Sequence, residues 1–147
     1  MDTSRIGLQS PPLDVEIERG RLRLFCKAIG ETGAIHTDPA AARAAGYRDV
    51  VAPPTFAFCL DSDRSDGFSM VRELGLPLGR LLHGGQSMTH HGPLCAGDRV
   101  VLHSRVTDIH DKKGGALRFF VIASQVLRAA GGSCVVEMER TLIVRQA

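Results

Sequence analysis

Glu31 and His36 are the side chains whose types and spacing best suit chemistry. They lie five residues apart in a segment that also contains Gly30 and Gly33. Histidine titrates near neutrality, so it can take a proton from water and return it to a leaving hydroxyl, while a carboxylate helps to hold that water. The pair therefore predicts acid–base chemistry on one water molecule. A structural alternative is that the histidine caps a helix start and that the glutamate is a solvated surface carboxylate.

Two predicted helices flank this segment and would position the pair. Residues 18–29 carry apolar side chains at helical spacing, and Gly30 suits the C-terminal stop. The predicted buried stripe comprises Leu22, Phe25, Cys26 and Ile29. Asp38 before Pro39 predicts the N-cap and first position of a second helix. We expect a loop between the helices, because a loop lets two side chains at this spacing converge.

The rest of the chain predicts a sheet around one helix. Residues 55–60 are apolar almost throughout and follow two prolines, which predicts a helix buried on all sides. Residues 61–67 predict a polar loop, and residues 70–76 a further helical turn or two.

Three stretches after residue 99 alternate with period two, and glycine pairs separate them. With residues 81–91 they give four antiparallel strands, with a fifth left open near the N-terminus. We therefore predict an α+β fold in which an antiparallel sheet wraps a central apolar helix, with residues 1–147 as a single domain. An open barrel would not supply so early a core helix.

Composition excludes several classes of function. The formal net charge is only +2, and the chain has no Trp and one Tyr. A basic surface with interleaved aromatic rings is therefore not expected, which argues against nucleic-acid binding. No apolar run approaches the roughly 20 residues of a membrane span. The four cysteines form no C-x-x-C pair, which favours free thiols and a cytoplasmic location. We expect no metal at His83, His90 and His91, because no cysteine or acid accompanies them in a ligand pattern.

The segment around the Glu31–His36 pair resembles the MaoC-like hydratase/dehydratase family, which includes the R-specific enoyl-CoA hydratases. The family pattern reads roughly F-x-x-x-[ST/I]-G-D-x-N-P-[IL]-H. The matching positions are Phe25, Gly30, Ile35 and His36. Residues 51–56 (VAPPTF), 82–86 (LHGGQ) and 91–98 (HGPLCAGD) are similar to the N-terminal-type branch of that family. The resemblance extends over residues 13–145.

This resemblance implies a hot-dog fold and a hydro-lyase that interconverts enoyl and 3-hydroxyacyl thioesters of CoA or acyl carrier protein, with (R) stereospecificity and without a cofactor. It assigns the acid–base roles to Glu31 and His36. It places the oxyanion and substrate contacts at Gly33, Pro54, Thr55, His83 and Gln86. A homodimer, a higher homo-oligomer or a heterodimer with another hot-dog subunit is implied.

The sequence departs from the family pattern at three places. Glu31 replaces aspartate, and Gly33 with Ala34 replaces asparagine with proline. Pro54 stands where the family has a glycine at the helix start, so Thr55 would have to supply the N–H donor. These departures keep open a non-catalytic acyl-binding subunit that supports a catalytic partner. A hot-dog thioesterase is a third alternative, although residues 55–60 lack the acid that such an enzyme carries on its central helix.

Overall fold

The core of the protein is one five-stranded antiparallel sheet, seen in a computed structural model that describes residues 3–64 and 69–146. The strands are β1 (Leu13–Glu16), β2 (Leu81–His90), β3 (Arg99–Lys112), β4 (Leu117–Arg128) and β5 (Cys134–Arg145). They are ordered β1-β3-β4-β5-β2, so β1 and β2 form the two edges. The predicted late strands are confirmed, and the early strand is β1.

Alternating side chains give the sheet one buried face. Val100, Leu102 and Val106 of β3 are each about 1 % exposed, and Ile122 of β4 is fully buried. The turns that connect these strands need left-handed backbone, which glycine adopts without a steric penalty. Gly131 and Gly132 have φ values of 81° and 66°, as the predicted turn requires.

Within the described residues, four α-helices and a central 3₁₀ helix cover the buried face. They are α1 (Arg19–Ile29), α2 (Ala34–Thr37), α3 (Pro39–Ala44), the central helix (Pro54–Asp63) and α4 (Ser69–Glu73). Asp38 caps α3, because its carboxylate accepts the N–H of Ala40 at 2.8 Å. Leu22 and Cys26 of α1 are buried as predicted, but Ile29 is 50 % exposed, so the predicted stripe ends one turn early.

The central helix lies against the sheet with one face only. Phe56, Ala57 and Leu60 are buried, whereas Phe58 is 41 % exposed. The prediction of a helix buried on all sides is therefore wrong within this chain, because one sheet covers one side of the helix. The helix also continues to Asp63, into the predicted polar loop, of which residues 65–67 lie outside the described residues. Among the described helices, none has the length and hydropathy needed to cross a membrane.

Candidate active site

The segment between α1 and α3 contains a helical turn rather than the predicted loop. Gly30 ends α1 in left-handed backbone, with φ 73°. α2 then begins after Gly33, and the N–H of His36 donates to the carbonyl of Gly33 at 3.0 Å. Glu31 therefore precedes this short helix and His36 lies on it. The side chains still approach each other, because the chain reverses at Gly33.

The imidazole of His36 is held in one orientation by the main chain. Its Nδ1 lies 2.7 Å from the carbonyl oxygen of Val51. A carbonyl can only accept, so Nδ1 carries the proton and Nε2 presents a lone pair. Val51 is itself fixed, because its N–H donates to the carbonyl of Ile35 at 2.9 Å and it bridges to Cys95. The geometry thus leaves Nε2 as a proton acceptor.

The carboxylate of Glu31 folds back over Gly33. The N–H of Gly33 donates to Glu31 Oε1 at 2.6 Å. A Cβ atom placed on Gly33 would lie 2.9 Å from Glu31 Oε1 and 3.3 Å from His36 Cδ2, so both side chains close over the same point. They share no direct hydrogen bond within the described part of the chain. A small polar molecule between them could therefore contact both.

Beneath this pair lies a buried thiol. Cys26 Sγ is 3.7 Å from the carbonyl oxygen of His36. Burial, together with the negative charge of Glu31, raises the pKa of the Cys26 thiol. Cys26 therefore packs as a neutral apolar side chain under α2 and supports the position of the helical turn.

A cavity of about 520 Å³ opens beside His36. Its walls come from α2, the turn after α3, the start of the central helix and the segment after β2. The lining side chains include Ile35, Tyr47, Pro53, Ala57, His91 and Leu94. The wall is mainly apolar and also contains the imidazoles of His36, His90 and His91, which suits an acyl group that carries a reactive polar end.

The start of the central helix offers one free donor to this region. Pro53 and Pro54 have no N–H, and the N–H of Phe56 donates to the carbonyl of Pro53 at 2.9 Å. Pro54 lines the cavity, and the backbone N–H of Thr55 has no acceptor among the described residues. The free N–H of Thr55 and the helix dipole both suit a developing oxyanion.

His83 and Gln86 lie away from this cavity within the single chain. The His83 ring packs edge-on against Phe58, with 5.5 Å between centroids, and lines a separate cavity of about 350 Å³. The Gln86 amide is exposed and donates to the carbonyl of Ser87. The structure therefore brings Glu31, Gly33 and Pro54 near His36, whereas Thr55 is the residue after Pro54 and His83 and Gln86 lie elsewhere.

An ion cluster fixes the segment whose Val51 carbonyl orients His36. Arg19 donates to both carboxylate oxygens of Asp49, at 3.0 and 2.5 Å, and Arg43 adds a contact at 3.5 Å. Asp49 also accepts the N–H of Val50 at 2.8 Å. The Arg19 hydrogen bond, with that N–H, lowers the pKa of Asp49 from 3.8 to about 2. The cluster joins α1 and α3 to Asp49, two residues before Val51, whose carbonyl orients the imidazole.

Two contributors to the site were missed from the sequence. The carbonyl of Val51 orients His36 through the backbone, which no residue type reveals. Tyr47 lines the cavity and is the single tyrosine of the chain, directly after a glycine that ends α3 in left-handed backbone. A single tyrosine next to a predicted helix end could have been recognised from the sequence as a candidate site residue.

The five-stranded sheet and the helix packed against it define the class of protein by its fold, the hot-dog fold that the MaoC-like dehydratases share. The chain belongs to the family described as FAS1-like, dehydratase domain region, which matches residues 4–138. The fold and the family predicted from the sequence are thus confirmed.

Related proteins support this assignment. A UPF0336 protein of Saccharopolyspora erythraea is 38 % identical over 146 residues, which cover 99 % of this chain and 92 % of the relative. The C-terminally truncated HadBC (3R-hydroxyacyl-ACP dehydratase) complex of Mycobacterium tuberculosis has a chain with TM-score 0.80 and 22 % identity, covering 97 % and 99 % of the two chains. The R-hydratase PhaJ1 of Pseudomonas aeruginosa has TM-score 0.71 and 20 % identity, covering 97 % and 83 %. At these identities the solved structures support the fold alone.

Proposed function

We propose that this protein is a hydro-lyase that interconverts trans-2-enoyl and (R)-3-hydroxyacyl thioesters of CoA or acyl carrier protein. The observation that carries the proposal is the His36 imidazole, whose proton is held on Nδ1 by the Val51 carbonyl while Nε2 is free beside an apolar cavity. That arrangement suits a general base for water next to an acyl chain. The reaction needs no cofactor.

In the hydration direction His36 Nε2 takes a proton from water as its oxygen bonds to C3 of the enoyl group. The C2=C3 electrons shift toward the thioester carbonyl, whose oxygen gains negative charge next to the N–H of Thr55. The His36 imidazolium then gives its proton to C2 as the electrons return from the carbonyl oxygen, so the elements of water have added across the double bond and His36 is neutral again. Glu31 orients the water. Dehydration follows the same steps in reverse.

A second hot-dog subunit would complete the protein along β2. This strand pairs with β5 on one side and forms an edge of the described sheet. Leu82 of β2 and Phe58 beside the strand are 44 % and 41 % exposed, which leaves apolar surface that a partner would bury. We propose a homodimer, or a heterodimer with another hot-dog subunit, in which His83 and Gln86 lie near the interface. Light scattering on the purified chain, alone and with a candidate subunit, distinguishes these assemblies.

Hydration of crotonyl-CoA and longer enoyl-CoA substrates tests the proposal. His36→Ala removes the base, and His36→Asn keeps an amide that can donate to the Val51 carbonyl but lacks the Nε2 lone pair. Both should lower kcat/KM by about 10²- to 10⁴-fold. His110→Ala, on β3, is a matched control that should keep full activity. Unchanged turnover in the His36 variants would remove the assignment.

A non-catalytic acyl-binding subunit is the second candidate. It is favoured by Pro53 and Pro54, which remove two N–H donors from the start of the central helix. Robust hydratase activity of the chain alone would rule this candidate out. Activity that appears only with a second subunit, and that survives His36→Ala, would establish it.

Two further expectations accompany the proposal. The central helix is longer than predicted and includes Asp61 and Asp63 near its end. Arginine side chains contact both carboxylates, which disfavours a thioesterase base there. Release of free thiol from acyl-CoA tests that alternative.

All four cysteines are free, which supports a reducing compartment, and we propose that the protein acts in the cytoplasm.

A further inference from the structure

A cluster of three potential metal ligands lies where the end of β2 meets β5. Among the described residues, His91, Cys134 and Glu137 are a group whose ligand atoms all lie within 4.8 Å of one another. His91 Nε2 is 2.9 Å from Glu137 Oε2. No metal was expected at His91 from the sequence, because the cysteine and the acid are more than forty residues from His91 along the chain. The pairing of the two strands brings them together.

A β-bulge turns the thiol toward the other two ligands. In the β4–β5 ladder Val126 pairs with Val136 and Leu127 pairs with Cys134, so Val135 is an extra residue in β5. Val135 and Val136 are both buried, at 1 % and 0 % exposure. Without the bulge, strict alternation would place Cys134 on the face opposite Glu137. With it, both side chains project from the outer face, where His91 reaches them.

We propose that His91 Nε2, Cys134 Sγ and Glu137 carboxylate bind one divalent transition-metal ion of the zinc type. Nitrogen and sulfur ligands favour zinc, cobalt and related ions over magnesium and calcium, and three protein ligands leave a fourth position for water. Tetrahedral coordination separates ligand atoms by roughly 3.5 Å, so the His91–Glu137 gap must widen by roughly 0.5 Å. Because both side chains are exposed, small rotations achieve this.

The charges around the cluster favour a cation. The Glu137 carboxylate brings negative charge beside the Cys134 thiol. A divalent cation between them gains from that charge, and the thiol proton passes to solvent as the metal–sulfur bond forms. The amide of Gln125 donates to the other oxygen of Glu137 at 3.2 Å and fixes the carboxylate.

The site adjoins the cavity of His36 without sharing its proposed chemistry. His91 lines that cavity, so an ion bound there would lie close to its rim. Glu31, His36 and Thr55 take no part in the cluster. Metal binding can therefore be measured directly, whether or not the protein hydrates enoyl thioesters.

Titration of the tag-free, metal-stripped protein with Co²⁺ and then Zn²⁺ tests the inference. We expect one ion per chain and a thiolate-to-cobalt charge-transfer band in the near ultraviolet that Zn²⁺ abolishes by displacement. Cys134→Ser should remove the band. His91→Ala and Glu137→Gln should each weaken metal binding at least about 10-fold.

Two control variants separate this cluster from generic surface binding. His110→Ala removes the other described histidine–carboxylate contact, in which Nδ1 is 2.7 Å from Asp108. Cys59→Ser removes a half-buried thiol elsewhere. Both should bind metal as the wild type does, and circular dichroism checks the fold of every variant. Absence of binding by the wild type, or a charge-transfer band that survives Cys134→Ser but not Cys59→Ser, overturns the assignment.

Discussion

Replacing Gly33 by alanine tests whether Glu31 and His36 work at one point. The added Cβ would lie 2.9 Å from Glu31 Oε1 and 3.3 Å from His36 Cδ2, where 3.4 Å begins ordinary contact. The carboxylate must therefore retreat by about 0.5 Å, while the imidazole moves little. A displacement of about 1 Å in a positioned reaction costs roughly 100-fold, so we expect kcat/KM to fall about 10-fold. This corresponds to about 1.4 kcal/mol in the barrier.

The fold should tolerate this change. Gly33 has φ −57° and ψ 131°, a backbone conformation that alanine adopts freely. The atom that must move is the end of a flexible side chain, so the free energy of unfolding should change by less than about 1 kcal/mol. Urea unfolding measures this, and the loss of enoyl-thioester absorbance during crotonyl-CoA hydration measures kcat/KM.

Gly20→Ala is the matched control, because nothing lies within 4 Å of a Cβ at this position in α1. It should keep kcat/KM and raise the free energy of unfolding by roughly 0.5–1 kcal/mol. Wild-type kcat/KM in Gly33→Ala, with unchanged stability, would refute the convergence of Glu31 and His36 over Gly33.

Two further substitutions probe how the sheet and the ion cluster support the site. Gly84→Ala should lower the free energy of unfolding by roughly 1–3 kcal/mol in urea titrations, because its Cβ would lie 2.5 Å from Ile143 Cδ1 at the β2 bulge. The Arg19 hydrogen bond holds the pKa of Asp49 at about 2, below its ordinary 3.8. This contact therefore stabilises the fold fully above about pH 4 and is lost as the pH falls toward about 2. Asp49→Asn should be less stable at neutral pH and flatten this part of the acid-unfolding curve.

Each of these substitutions has a neighbouring or similar control. Gly85→Ala has open space around its Cβ and should be nearly neutral, so equal destabilisation by Gly84→Ala and Gly85→Ala would contradict the steric reasoning. Asp14→Asn changes an exposed carboxylate of β1 and should leave the acid-unfolding curve unchanged. An Asp49→Asn curve that matches wild type throughout would show that the Arg19 contact contributes nothing.

Local chemistry allowed much of the fold to be predicted. Asp38 with Pro39 marks the start of α3, because a carboxylate satisfies a free N–H there and proline lacks one. Period-two alternation marks β3 to β5, because successive side chains point to opposite faces. These signals act within a few residues, so the sequence alone displays them.

Features set by tertiary packing were predicted poorly. The exposure of Phe58 depends on where one sheet ends, and its apolar character says nothing about that. α2 is a single turn, and Thr37 Oγ1 stabilises it by donating to the carbonyl of Gly33 at 3.1 Å. Gly30 and Gly33, just before this turn, equally indicate a loop. The sequence pattern therefore predicted where this segment lies in the chain but not that it forms a helical turn.

The candidate site likewise has features that the sequence predicted and features that only the folded chain creates. The residue types and spacing of Glu31 and His36 were visible in the sequence. The carbonyl that fixes the His36 tautomer comes from Val51, fifteen residues later, through a contact of the folded chain. Likewise, Cys134 approaches His91 because of a register shift in β5, and the residue types in that strand do not predict this shift.

A double-mutant cycle on Glu31→Gln and His36→Asn tests the central claim most directly. If both side chains act on one water, kcat/KM of the double variant should lie within about twofold of His36→Asn alone, because the second change removes nothing further. His36→Asn should fall by about 10²-fold or more. Losses that multiply would mean that the two side chains act independently, and an active His36→Asn would mean that the imidazole is not the base.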